Sequence, residues 1–278
     1  LSRRSRARNR HCDESVKPLA VTSCAVRRPY RRQFILLPRP RRIEQSAMTT
    51  CLFLTFRCRA TPSDGEKSKL NDLLGVTPKL LKALVHTSAT ASDPYVKDEA
   101  PPPLVVQLYF DEIHELEAAL ARVGHLAVLS SREEFPVLAA ADVAHQAMLV
   151  RQFTVADPTF KNAPGSPYCT YLVSYEGEAE NLNAWLNHYL ENHTRHMAGF
   201  PGIRELEVYT RLDWVSSLPW PRVHFMQRNK VAFDSADALT QALNSPVRHD
   251  MRADFKTFPP FTGPNKHYAM ATRVIRPR

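Results

Sequence analysis

The sequence predicts an α+β protein in which two ferredoxin-like βαββαβ units pack sheet to sheet, as a pseudo-two-fold α/β barrel within one chain. Three observations carry this prediction. The two halves of residues 48–278 repeat one another. Each half alternates strand-period and helix-period segments in the same order. A four-stranded sheet with both helices on one face leaves a second face bare, and another sheet of the same kind can cover it.

The repeat is legible residue by residue. Phe110-Asp111 followed by Leu116, Ala119 and Leu120 recurs as Phe233-Asp234 followed by Leu239, Ala242 and Leu243, at an offset of 123. His145, Ala147, Met148 and Arg151 recur as His267, Ala269, Met270 and Arg273, at 122. Arg132, Glu134 and Phe135 recur as Arg252, Asp254 and Phe255, at 120, and Pro78, Val85 and Thr87 as Pro201, Val208 and Thr210, at 123. Four matches in chain order at nearly one offset argue for duplication over coincidence.

Residues 1–47 stand apart as a basic leader. The whole chain carries 37 Lys+Arg against 28 Asp+Glu, a net charge of +9; the leader holds 13 and 3 of these, or +10, so residues 48–278 carry −1. The leader has paired arginines, interleaved Pro38 and Pro40 and no sustained period, so disorder is expected of it. Three readings stay open: an over-extended gene start with Met48 as the initiator, a basic targeting or nucleic-acid arm, and an organelle transit peptide. Asp13, Glu14 and Glu44 weaken the last of these. A secretory signal is not supported, because the apolar run at 34–37 is too short.

In the first half, residues 48–156, strands are expected at 52–56, 105–110 and 146–155, and helices at 68–74 and 112–122. Residues 79–87 look helical by propensity, but the repeat makes them the second strand. Pro, Asn and Gly across 157–168 read as the linker. In the second half, residues 169–278, a β-branched and aromatic strand at 171–175 precedes a helix at 181–199, with Leu182, Trp185, Tyr189 and Met197 on one stripe. Pro201-Gly202 ends that helix. Alternation marks a strand at 203–212, followed by a strand at 223–233. Asp234 or Ser235 caps a short helix through Leu243, and 267–275 closes the set.

Composition excludes several classes of function. The chain is 44% hydrophobic with no run near the roughly 20 apolar residues of a membrane helix. Five Cys without CxxC spacing give neither a disulfide scaffold nor a cysteine zinc site, and suit a reducing, cytoplasmic setting. Eight Gly, no GxGxxG and no GxxxxGK before Ser or Thr disfavour nucleotide-binding loops. No GxSxG nucleophile elbow is present.

Polar residues with chemical potential concentrate on the helix at 181–199. His193 and His196, three apart, share a face that could hold a metal, but no HExxH or third carboxylate accompanies them, so no metal site is expected. The stripe Trp185, Tyr189, His193 runs at i, i+4 and i+8, aiming His193 at the sheet and the barrel interior. There it could act as general acid or base or as a hydrogen-bond partner to a ligand, or rest as a satisfied core histidine. Trp214 and Trp220, with Phe258 and Phe261, lie in Pro-rich loops that could lid an apolar pocket or seal a core. Trp185, Tyr189, His196, Trp214 and Trp220 are therefore the candidate substrate-binding residues beside His193. His145 and His267, paired by the repeat, are expected to be structural.

The run from Trp185 through Tyr189, His193 and Pro201-Gly202 to Arg204 resembles the first helix and turn of the EthD-domain family, named for ethyl tert-butyl ether degradation. The element Arg252…Asp254-Phe255 is also similar to the family's. The resemblance covers about 171–276 and reaches 50–155 only through the repeat, where no helix histidine stands opposite His193. It implies a dimeric α/β-barrel fold and a loose tie to oxidative degradation of small organic molecules, with His193 carried over by position and Tyr189 as its aromatic neighbour. No cofactor is expected, with haem left open by superfamily relatives that use it. The expected partner is a small apolar ligand bound by a monomeric pseudo-dimer that is free to associate further. Two other readings are a non-catalytic ligand-binding or assembly protein, and a nucleic-acid binder driven by the leader and so strongly salt-dependent.

Overall fold

The computed structural model describes residues 49–97 and 99–278, so the expectations for the leader and Met48 lie outside the described residues. Eight strands close into one barrel: β1 (Thr50–Arg57), β2 (Leu80–Ser88), β3 (Leu104–Phe110), β4 (Asp142–Phe153), β5 (Tyr168–Tyr175), β6 (Ile203–Arg211), β7 (Gln227–Phe233) and β8 (Asn265–Ile275). Around the barrel they run β1-β3-β2-β8-β5-β7-β6-β4, and every neighbouring pair is antiparallel. The halves meet at two seams, β2 with β8 and β4 with β6. Closure removes the exposed strand edges that an open sheet would present.

Period-two alternation sends each strand's side chains to two different cores. On β5, Cys169, Tyr171, Val173 and Tyr175 face the second-half helices, while Leu172 joins Phe53, Tyr109, Met148, Tyr209 and Met270 inside the barrel. On β3, Leu104, Val106, Leu108 and Phe110 face the first-half helices. All residues of β3 and β5 are buried, as expected of strands covered on both sides. The barrel interior is therefore a packed core, apart from a cavity at one mouth.

Outside the barrel lie α1 (Asp64–Gly75) and α2 (Ile113–Ala119) on the first half. The second half carries α3 (Leu182–His188), a π-helical segment (Tyr189–His193), α4 (Thr194–Ala198), α5 (Ala236–Leu243) and α6 (Pro246–Phe255). The caps follow sequence logic. Ser63 accepts from the Glu66 amide at 3.1 Å and Ser235 from the Ala238 amide at 3.1 Å. Asp234, the other candidate cap, instead receives Arg204 Nη2 at 2.8 Å. The strand at 79–87 is present as β2, against its helical propensity, because Ala83 and Val85 are needed by one core and Leu84 by another. Helix α6 was not expected: its Arg, His and Asp content hides the apolar stripe, although Pro246 at the first turn is a start signal. Among the described residues, no helix is long and apolar enough to cross a membrane.

Candidate functional site

The site grows from the helical run at 182–198. Asn181 starts it, its side chain accepting from the Ala184 amide at 2.9 Å. Trp185 and Tyr189 stack with ring centroids 5.1 Å apart and 17° between planes, and Tyr189 meets the His193 ring at 4.9 Å. From Tyr189 to His193 the helix widens to π geometry, a distortion that recurs at functional positions. Phe258 closes the other side of the imidazole, edge-on at 5.0 Å. His193 is buried.

Its polar partner comes from the last turn of α6. His193 Nδ1 lies 2.7 Å from Asp254 Oδ2, and the other oxygen, Oδ1, is 3.2 Å from His188 Nε2. The carboxylate selects the tautomer in which Nδ1–H donates, which leaves Nε2 with its lone pair. Nε2 makes no hydrogen bond among the described residues. Burial in this aromatic setting pulls the His193 pKa from about 6.5 down to about 4, against the opposing pull of Asp254. The imidazole is thus neutral at pH 7, a proton acceptor rather than a cation.

His193 lines a cavity of about 160 Å³ between the helices and the outer face of the second-half sheet. Sheet residues Tyr171, Val173, Tyr175, Asn229 and Val231 form its floor, and Arg248, Met251 and Phe255 of α6 form a wall. The Asn229 amide donates to Tyr189 Oη at 2.7 Å, while its Oδ1 is buried without a partner. The roof comes from the other half: Tyr95 and Val96 lie in the connection between β2 and β3. That connection is strapped down by Asp93, which receives Arg248 Nη2 at 2.9 Å and Tyr171 Oη at 2.9 Å. A hydrogen bond between Tyr95 Oη and His249 adds to it.

The structure corrects several expectations. His193 does face the sheet, but on the helix-covered outer side rather than in the barrel interior. Both sheet faces are apolar, so the stripe alone could not distinguish them. Trp214 and Trp220 pack into the first-half core, Trp220 against Phe56 at 5.7 Å and Trp214 against His145 at 5.1 Å, and neither lines the cavity. Trp185 is fully buried behind Tyr189 and supports the wall from outside. His196 is half-buried and does not line the cavity. Phe258 and Phe261 join the aromatic cluster around Trp185 and Tyr175. His145 hydrogen-bonds Pro221 O and Ser216 Oγ, as a structural residue would, whereas His267 lines the cavity. Asp254, Asn229, Arg248 and the strap at Asp93 had not been singled out as site residues; for Asp254 the signal was its place in the Arg252…Asp254-Phe255 element.

No protein-family model and no curated protein matches the chain. Among solved structures it is similar to a candidate monooxygenase from Fusobacterium nucleatum, with 11% identity, a TM-score of 0.53, and coverage of 83% of this chain and 95% of that one. An anthrone oxidase-like protein matches at 12% identity and a TM-score of 0.53, over 83% of this chain and 93% of its own. An EthD-family protein from Bacillus halodurans is 20% identical but spans 36% of this chain and 96% of its own, at a TM-score of 0.28, too low to carry an argument. At such identities the first two likenesses are ones of fold, and the chain shares the α/β-barrel fold of these monooxygenase-like neighbours.

Proposed function

We propose that this protein binds a small hydroxylated ring compound in the cavity beside His193, and that the His193–Asp254 pair accepts its proton in an oxidative reaction without a cofactor. One observation carries the reading: a buried neutral imidazole, its Nδ1–H held by Asp254 at 2.7 Å, leaves Nε2 to a cavity of mixed aromatic and polar lining. The size of the cavity selects the ligand class. A space of ~150 Å³ is large enough for a benzene-sized guest; this cavity measures about 160 Å³, and its polar side chains favour a ring that carries a polar group. A single ring fits; a haem does not. Nε2 and Asn229 Oδ1 are both acceptors, so the complementary ligand is a donor such as a phenol.

A conjugate acid with a pKa of about 4 makes His193 a weak base in the empty site. Negative charge developing on a bound hydroxyl would raise that pKa and draw the proton across, which makes proton acceptance a property of the reacting complex. The resulting electron-rich anion is the species that dioxygen can oxidise, in keeping with the oxidase and monooxygenase names borne by the fold neighbours.

The repeat, and the strand orders β4-β1-β3-β2 and β8-β5-β7-β6, support a tandem duplication of one ferredoxin-like unit. On this reading the first copy has no helix histidine opposite His193, so the site is single and asymmetric. Calorimetry tests the binding step. Phenol is expected to bind at one site and cyclohexane-like rings without a hydroxyl more weakly by about tenfold, the loss of one buried hydrogen bond. Equal binding of both, or none, contradicts the reading.

A further inference from the structure

We propose a second binding site, for a small monocarboxylate, at the mouth of the barrel where Arg228 and Tyr268 meet. It opens on the inner face of the sheet, whereas the His193 cavity lies on the outer face; Val173 and Asn229 of the sheet border both, and the proposal is independent of the reading above.

The argument starts from Arg228, second residue of β7. Alternation turns it away from the helix-facing Asn229 and into the barrel, where the Phe53 and Phe225 rings flank its guanidinium at 4.7 and 4.6 Å. Its Nε is buried with no hydrogen-bond partner, and no carboxylate lies within ion-pair distance of it among the described residues. The contrast within the same strand is sharp. Lys230, two residues on and also inward, is matched by Glu205 at 2.8 Å and Glu207 at 3.1 Å. Arg228 as a whole is half-buried, but its shielded Nε is costly to leave unpaired, and cation–π contacts of ~1–2 kcal/mol offset only part of that cost.

A second orphan points into the same space. Tyr268 is 9% exposed, and its hydroxyl is buried without a partner. Arg228 and Tyr268 both line a cavity of about 110 Å³, whose remaining walls include Phe53, Val105, Leu172 and Phe225. Burial lowers the Arg228 pKa to about 10, so the group is still charged at pH 7. Arg57 and Arg228 against Glu176 give the lining a net charge of +1, which matches one negative charge. Glu176, also at the rim, disfavours a dianion such as phosphate. The planar guanidinium fork fits a carboxylate in two-point contact, the Tyr268 hydroxyl supplies a further donor, and the apolar walls suit a short alkyl tail. At ~30 Å³ per water, the space equals roughly four waters, about the size of propionate.

The test is calorimetry and thermal unfolding of the full chain at pH 7 and constant ionic strength, with propionate as probe. Propionate should bind saturably at one site and raise the melting temperature, while the neutral propionamide and chloride do neither. Arg228→Met should remove the response, and Tyr268→Phe should weaken affinity by about tenfold. If Arg228→Met does not fold, Tyr268→Phe and the propionamide comparison decide. The proposal is overturned if propionate acts no differently from chloride or propionamide, or if its affinity is unchanged in either variant. Phenol binding at His193 is read separately and should be unaffected by Tyr268→Phe.

Discussion

Replacing Lys230 by Met is expected to destabilise the protein by about 3–5 kcal/mol at pH 7, the usual consequence of leaving one partner of a buried ion pair alone. Lys230 is fully buried inside the barrel and bridges Glu205 and Glu207. Glu207 also accepts from Tyr109 Oη at 2.6 Å and Tyr209 Oη at 2.5 Å, with Lys82 at 3.7 Å. Burial alone would push the Glu207 carboxyl up; Lys230, Lys82 and the two phenols outweigh it and hold the group well below the usual carboxylate range. The sign follows by linkage. A depressed carboxylate pKa contributes stability above the unfolded value of 4.5, and that contribution is lost as pH falls below it. The gap between wild type and Lys230→Met should therefore narrow below pH 4.5. Lys230→Met combined with Glu207→Gln should recover much of the loss. Urea unfolding measures all three; a single variant within ~1 kcal/mol of wild type would show that the network contributes little.

His193→Ala should lower turnover of a bound phenolic substrate by about two to four orders of magnitude, the range of a removed general base, while weakening ligand affinity by about tenfold or less. Asp254→Asn should keep the fold and the cavity but lose the carboxylate that selects the Nδ1–H tautomer, so turnover should fall with binding largely kept. Oxygen uptake with hydroquinone as substrate measures the first quantity and calorimetry the second. If His193→Ala abolished binding and the wild type showed no uptake, the site would be one for ligand binding alone.

What the sequence made legible follows from where each signal lies. Strand alternation marked the strands, and the repeated Leu, Ala and Leu positions marked the helices α2 and α5, because Leu116, Ala119 and Leu120 do the same packing in one core as Leu239, Ala242 and Leu243 in the other. The stripe Trp185, Tyr189, His193 put the imidazole against the sheet, where it lies. Two apolar faces on one sheet look identical in sequence, so the side of the barrel was misjudged. The π-helical widening at Tyr189–His193 was invisible, because neither propensity nor period distinguishes it from an ordinary turn. Asp254 reaches His193 across 61 residues from a charge-rich helix that no apolar stripe announced. Trp214 and Trp220 misled because a tryptophan in a Pro-rich loop does not say which core it seals.

The central claim is a neutral His193, held by Asp254 and addressed to a ligand. Nitrogen-15 NMR of the imidazole across pH 4.5–8, with and without phenol, tests it most directly. Because the folded pKa is depressed to about 4, the ring should stay neutral in the Nδ1–H form from pH 8 down to about 5.5 and protonate only toward the acid end, and Nε2 should shift on phenol addition. Titration near 6.5, the opposite tautomer, or an Nε2 indifferent to phenol would contradict the account.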